Sequence, residues 1–264
     1  MGDAEVTPLA GWLRLPPVQA ATRALLLCFP HAGGNALSFN GWAKDLPDWL
    51  GLVRALLPGR DDLAALAPVE QAEEMAPRYL AALAQLGDYP LIFYGHSLGA
   101  ILAFDLARAM RRRGLRPPLA LCVSGRRAPP LPLSHAALST LADAALIAAM
   151  REMGGPMIGI FDNPRWRDRL FPLMRADLAV SDHYRYAAEA PLGCPIIAFH
   201  GAEDSLVKAA EVMAWRAETI GGFRFLPVEG RHFFEAPTRR RIIATIVAEA
   251  EARLADRAGR AEAR

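Results

Sequence analysis

The sequence predicts an α/β domain, a mostly parallel sheet flanked by helices, on three observations. Short apolar runs alternate with longer stretches of helical periodicity. One run leads straight into a glycine-bounded turn and then a helical segment. One interval of about 70 residues interrupts an otherwise regular alternation. Hydrophobic residues at 53% and charged residues at 22% supply the core of a globular domain, and 264 residues suit one large domain or two small ones.

Strands are expected at 24–29, 52–57, 91–94, 119–124, 195–200 and 223–228, and helices near 38–46, 69–86, 98–113, 206–220 and 237–255. The short stretch before residue 24 leaves little room for an antiparallel hairpin at the leading edge. The polar, Ala-rich end, 257–264, is expected to fray. Between 124 and 195 the chain passes Pro129-Pro130-Leu131-Pro132, then shows helical periodicity over 138–153, 163–171 and 173–186. An insertion of that size at the strand ends would sit over the crevice of the sheet as a lid. The domain reading is therefore a core of 1–128 and 188–264 with a helical lid at 129–187.

The strand-to-turn run is Leu91-Ile92-Phe93-Tyr94-Gly95-His96-Ser97-Leu98-Gly99. Strand, Gly-x-Ser-x-Gly and helix in this order form a nucleophile elbow, which exposes the Ser97 hydroxyl in front of a helix N-terminus. A serine needs a base to take its proton and an acid to orient that base. In α/β-hydrolases these follow in chain order serine, acid, histidine. Of the six histidines, His232 follows the last strand, and Asp204 follows the strand ending at 200. Ser97, Asp204 and His232 would converge at one edge of the sheet; Glu203 is the rival acid. His200 is expected to finish its strand with a hydrogen bond, and His31 to stabilise its loop in the same way. The oxyanion donors are the Leu98 N–H and, from the loop Pro30-His31-Ala32-Gly33-Gly34-Asn35, the Ala32 N–H.

A net charge of +2 does not point to nucleic acid, and the arginine clusters 111–113 and 239–241 read as solvated helix faces. Cys28, Cys122 and Cys194 have neither metal-ligand spacing nor a paired count and read as buried thiols in a reducing compartment. The start Met-Gly-Asp-Ala-Glu lacks the marks of a secretory signal, and no apolar run reaches membrane-spanning length, so a cytoplasmic protein with no membrane or nucleic-acid partner is expected, monomeric by default.

The chain resembles type II thioesterases, the stand-alone editing hydrolases of polyketide and nonribosomal peptide synthases, which have the α/β-hydrolase fold. The resemblance covers nearly the whole length. It rests on Cys28-Phe29-Pro30-His31-Ala32-Gly33-Gly34, Leu57-Pro58-Gly59-Arg60, the Ser97 elbow, Ser124-Gly125-Arg126-Arg127-Ala128-Pro129, Leu173-Met174-Arg175-Ala176-Asp177 and Gly230-Arg231-His232-Phe233-Phe234. Two positions depart from the family pattern: Arg231 stands where a second glycine is usual, and Asp61-Asp62-Leu63 where an arginine is. The resemblance implies hydrolysis of acyl thioesters on the phosphopantetheine arm of an acyl or peptidyl carrier protein, with no cofactor and no metal. Alternatives are a general acyl-CoA or carboxylester hydrolase, an acyltransferase, or a non-catalytic carrier-binding protein. Met150, Met153, Met157, Phe161 and Met174 offer an adaptable apolar surface for the acyl chain, although the same residues suit the core of a helical lid. Arg126 and Arg127, after a strand end, are candidates for docking the acidic carrier or its phosphate.

Overall fold

The computed structural model describes residues 11–15, 19–154, 159 and 162–262. The strands are β1 (Leu13–Arg14), β2 (Ala24–Phe29), β3 (Leu50–Ala55), β4 (Leu91–His96), β5 (Leu121–Ser124), β6 (Ile196–Gly201) and β7 (Phe223–Val228). They form one sheet in the order β1-β3-β2-β4-β5-β6-β7. Strands β2 to β7 pair in parallel, and the two-residue β1 runs antiparallel to β3. Among the described residues, the stretch before β2 thus contributes a short antiparallel edge strand.

The helices are α1 (Met75–Leu83), α2 (Leu98–Arg112), α3 (Asp143–Glu152), α4 (Pro164–Asp182), α5 (Ala209–Met213) and α6 (Ala236–Glu262). Successive strand residues face opposite sides of the sheet and build two cores. Leu25, Leu27, Phe29, Phe93, Leu121, Val123 and Ala198 pack with buried residues of α1 to α4. Leu26, Cys28, Ile92, Tyr94, Cys122, Ile197 and Phe199 face Ile242, Ile243 and Ile246 of α6. Each such Leu or Ile removed from water contributes about 1.5–3 kcal/mol. The three cysteines are free and buried, as expected.

Strand order decides where a site can form. The chain passes from β2 out to β3, then returns across β2 to β4, so the connections leave the adjacent strands β2 and β4 in opposite directions. In open parallel sheets the crevice at the carboxyl ends of such strands is where ligands bind. The loop 30–35 follows β2, and Ser97 follows β4.

Several expectations need correction. Residues 38–46 form two 3₁₀ turns, Ala36–Phe39 and Ala43–Asp45, rather than an α-helix; Asn35 caps the first with a reciprocal Ser38 bond. The expected strand 52–57 lies two residues earlier, and α6 continues to Glu262 instead of fraying at 257. The two helical stretches around Pro172 are a single helix, α4. A proline inside a helix removes one hydrogen bond, and the burial of Phe171, Met174 and Leu178 on both sides of it offsets that loss. The first arginine cluster is not simply solvated. Arg111 and Arg112 converge with Arg108 on Glu189 at 2.5–2.8 Å, tying the return segment to α2.

Candidate active site

Ser97 is held in a backbone conformation that L-residues rarely adopt, φ 54° and ψ −115°. Such strain costs about 1–3 kcal/mol and persists only where the surroundings enforce it. Here they do: the Ser97 N–H donates to the Ser124 carbonyl at 2.8 Å, and the Ala100 N–H to the Ser97 carbonyl at 3.1 Å. A Cβ at Gly95 would lie 2.2 Å from the Gly99 carbonyl oxygen, and one at Gly99 would lie 2.1 Å from that of Phe29. The two glycines let the elbow close against β2, bringing Ser97 beside the loop 30–35.

At the neighbouring strand ends, His232 Nδ1 and Asp204 Oδ2 are 3.0 Å apart, with both side chains almost wholly buried. The other carboxylate oxygen, Oδ1, accepts the Leu206 and Val207 N–H groups at 2.9 and 3.1 Å. Burial alone would raise the Asp204 pKa. The hydrogen bond and charge of His232, with the two backbone donors, outweigh it and hold the carboxyl below its ordinary value. Asp204 is thus the carboxylate hydrogen-bonded to the imidazole, while Glu203 is exposed.

The dipeptide Ser124-Gly125 links the two halves of the site. Its first carbonyl holds Ser97, and a Cβ on Gly125 would come within 3.0 Å of His232 Cε1. Among the described residues the Ser97 hydroxyl makes no hydrogen bond. Catalytic hydrogen bonds are commonly long in the free enzyme and tighten with substrate.

Two further histidine rings crowd His232. His96 lies 5.1 Å away between ring centroids, and His31 packs against His96 at 6.0 Å and Phe233 at 4.8 Å. Burial, then the charge of His232, lowers His31 to about 4 and His96 well below its ordinary value. Both are neutral at pH 7, so neither ring places a positive charge beside His232. Ser124 was missed in the sequence: its hydroxyl lies 2.8 Å from both Tyr94 Oη and His96 Nδ1 and fixes the residue preceding the nucleophile. It stands at a strand end and opens one of the family motifs, but neither signal says that its hydroxyl meets Tyr94 and His96.

The Leu98 and Ala32 N–H groups have no acceptor among the described residues, as oxyanion donors require. The loop carrying Ala32 is closed by the His31 carbonyl, which accepts from the Gly34 N–H at 2.9 Å; the His31 ring makes aromatic contacts rather than the expected hydrogen bond. His200 likewise stacks on Phe225, its Nδ1 buried without a hydrogen-bond partner among the described residues, so that expectation is also corrected.

A cavity of about 330 Å³ adjoins the site, lined by His31, Trp42, Tyr94, His96, Gly154 and Phe233 among others. That is at the lower end of small-ligand sites. Met150 and Met153 are buried within the insertion, and Met174 packs against Gly33 of the oxyanion loop. Met157 and Phe161 lie outside the described residues.

The docking candidates Arg126 and Arg127 have little exposed surface. Both are buried; Arg126 donates to the Ser181 hydroxyl and carbonyl at 2.6 and 2.9 Å, and Arg127 to the Leu131 carbonyl at 3.1 Å. These bonds secure the end of α4 and the start of the insertion to the end of β5. The departures from the family pattern also have local roles. Asp61 accepts the Ala36 N–H at 2.9 Å and Asp62 pairs with Arg14 at 2.8 Å, while exposed Arg231 reaches the Glu152 carbonyl at the end of α3.

An α/β-hydrolase is the class that this topology and strand-end chemistry define. More narrowly, a family model described as a thioesterase domain matches residues 24–249, and the chain belongs to that family of thioester hydrolases. Linear gramicidin dehydrogenase LgrE of Brevibacillus parabrevis is 32% identical over 249 residues, covering 93% of this chain and 94% of that one. Thioesterase PikA5 of Streptomyces venezuelae is 34% identical over 227 residues, 84% of this chain and 79% of that one. Among solved structures, the RedJ thioesterase from the prodiginine biosynthetic pathway in Streptomyces coelicolor is 37% identical with a TM-score of 0.79, covering 87% of each chain. YbtT, the type II thioesterase from the yersiniabactin NRPS/PKS biosynthetic pathway, is 30% identical with a TM-score of 0.81, covering 92% of this chain and 99% of that one. The likeness to type II thioesterases read from the motifs is thereby borne out. Among the described residues no helix is long and apolar enough to cross a membrane.

Proposed function

We propose that the chain hydrolyses acyl groups from the phosphopantetheine arm of carrier proteins, clearing stalled or wrong intermediates from a polyketide or nonribosomal peptide synthase. The observation that carries this reading is the buried Asp204–His232 pair beside Ser97 on its strained elbow. A non-catalytic carrier-binding protein has no use for such strain.

In the first half-reaction His232 takes the Ser97 proton as the hydroxyl oxygen attacks the thioester carbonyl, and Asp204 stabilises the imidazolium. The tetrahedral oxyanion receives the Leu98 and Ala32 N–H groups, each worth about 3 kcal/mol of barrier. Collapse breaks the C–S bond. A thiol of pKa about 8.5 leaves with less need of a proton than an alcohol does. Water activated by His232 then attacks the acyl-serine, releasing the acid and restoring Ser97.

The insertion 129–187 acts as the lid, and the cavity beside His31 and His96 receives part of the substrate. Support comes from Gly154, which brings the insertion's backbone into the cavity wall. The three buried free thiols agree with a cytoplasmic setting, and we assign the enzyme to the cytoplasm as a monomer whose carrier partners bind transiently.

The test is mass spectrometry of carrier proteins charged with different acyl groups, run beside the matching acyl-CoA and oxygen esters. Release of free holo-carrier by the wild type, absent with Ser97→Ala and faster than cleavage of either alternative substrate, is expected. Preference for acyl-CoA or oxygen esters would replace this reading with a general hydrolase, and acyl transfer to an added nucleophile with an acyltransferase.

A further inference from the structure

A buried, fully hydrogen-bonded charged pair lies apart from Ser97, Asp204 and His232. Asp177, on α4 of the insertion, and Arg60, in the loop after β3, are both buried and joined by two hydrogen bonds, Arg60 Nη1 to Oδ2 at 2.6 Å and Nη2 to Oδ1 at 2.9 Å. Two opposed pulls act on the Asp177 carboxyl: burial raises its pKa, while the charge and hydrogen bonds of Arg60 lower it. The rest of the guanidinium is also occupied. Nη1 donates to the Gly34 carbonyl at 3.0 Å, and Nε and Nη2 donate to the Pro58 carbonyl at 3.3 and 3.2 Å. Every nitrogen of Arg60 is spent inside the protein, so the pair is not a site for a substrate or carrier charge.

What the pair grips is the oxyanion loop. Asp177 Oδ2 accepts the Gly33 N–H at 2.8 Å, while Arg60 holds the carbonyl of Gly34. Gly33 has φ +77°, and a Cβ there would meet Met174 Cγ at 3.1 Å, so α4 rests directly on this turn. On its other side the turn is closed by the Gly34-to-His31 hydrogen bond. Ala32 lies between these fastenings. The Ala32 N–H shares a planar peptide with the His31 carbonyl, so the bond that this carbonyl accepts from the Gly34 N–H sets its direction, and Asp177 and Arg60 hold in place the two glycines that make the bond.

We propose that Asp177 is a positioning residue: from the insertion helix it sets, with Arg60, the Ala32 N–H in line with the developing oxyanion. This inference rests on the proposed hydrolytic reading and goes beyond it. Hydrolysis then depends on α4 being seated, because the carboxylate that completes the oxyanion site belongs to the insertion and not to the sheet. Binding of the acyl chain and stabilisation of the transition state become separable properties of the same helix.

The test uses the full-length protein and a small soluble thioester of N-acetylcysteamine, so that carrier docking plays no part. Wild-type turnover of this substrate, lost in Ser97→Ala, is the control; its absence would count against the hydrolytic reading itself and not against the role of Asp177. Removing one partner of a buried pair is strongly destabilising, whereas replacing both by apolar residues of similar volume is often tolerated. The key variant is therefore the double substitution Arg60→Met/Asp177→Leu, with Asp177→Asn beside it. Asparagine keeps an oxygen that can accept the Gly33 N–H.

The double variant is expected to retain a cooperative melting transition, to lose about 100-fold in kcat with KM changed by no more than about threefold, and to lose affinity for a boronic acid analogue of the tetrahedral intermediate in the same proportion. Asp177→Asn, whose neutral amide holds Arg60 and the Gly33 N–H more weakly than a carboxylate does, should recover about tenfold of that loss and leave a deficit of about tenfold in both kcat and analogue affinity. The proposal is overturned if analogue affinity stays at the wild-type level while kcat falls, if Asp177→Asn is as impaired as a folded double variant, or if the double variant keeps wild-type kcat. If the double variant does not fold, Asp177→Asn decides alone. Parallel losses in kcat and analogue affinity, larger than its fall in melting temperature explains, support the role; unchanged values of both overturn it.

Discussion

Substituting Gly99 by alanine tests how tightly the elbow is bound to the oxyanion loop. A Cβ at this position would stand 2.1 Å from the Phe29 carbonyl oxygen, more than 1 Å short of the 3.4 Å at which ordinary contact begins, and 2.6 Å from its carbon. Both partners are backbone, so neither can rotate away. Either the start of α2 moves off β2 or the end of β2 yields, and Phe29 leads directly into the loop that carries Ala32. The consequence is a displacement of about 1 Å between Ser97 and one of its oxyanion donors, which costs on the order of 10²-fold in rate. Overpacking of a close-packed interior adds about 1–3 kcal/mol of destabilisation, or roughly 2–12 °C in melting temperature for a domain of this size. The assay pairs the rate of Ser97 labelling by a fluorophosphonate with thioester turnover and a thermal melt. A folded Gly99→Ala protein with labelling and turnover within about threefold of wild type would refute the reasoning.

Other perturbations separate the roles of individual side chains. Asp204→Asn should lower kcat by about 10⁴-fold with little change in KM, because an amide favours the wrong imidazole tautomer; retention of most activity would reassign the acid. Burial raises Asp105 to about 6, against the Tyr184 hydrogen bond and the charge of Arg108. Stability tied to this group is therefore fully present below about pH 4 and lost as the pH rises through about 6, a change of about 3 kcal/mol. Urea midpoints of Asp105→Asn across pH 4–7.5 should show that decline removed, and an unchanged decline would exclude Asp105 as its source. Arg126→Ala should lower the melting temperature through the lost hydrogen bonds to Ser181, each worth about 1.5–3 kcal/mol, while the ratio of KM for carrier-bound and small thioesters stays constant. A rise in KM confined to the carrier substrate would restore the docking role.

Much of the core was legible because its signals are local. The apolar runs at β2 and β7 gave the strand bounds, and the glycine spacing around Ser97 led to the elbow. Asp204 and His232 followed from chain order, since strand-end loops of a parallel sheet converge. What was not legible depends on distant partners. Nothing near Arg126 says that Ser181 will bury it, and Arg60 and Asp177 stood in the family motifs without any sign that they meet on the Gly33 amide. Pro172 marked a break that long-range packing of α4 overrides, and the glycine and proline flanking residues 42–46 kept a helical pattern down to 3₁₀ turns.

Rapid-quench intact-protein mass spectrometry during turnover of an acyl-carrier thioester tests the central claim most directly. A transient mass increase equal to the acyl group, mapped to the peptide containing Ser97 and absent from Ser97→Ala, is the predicted result. Turnover with no adduct at Ser97, and undiminished in Ser97→Ala, would contradict it.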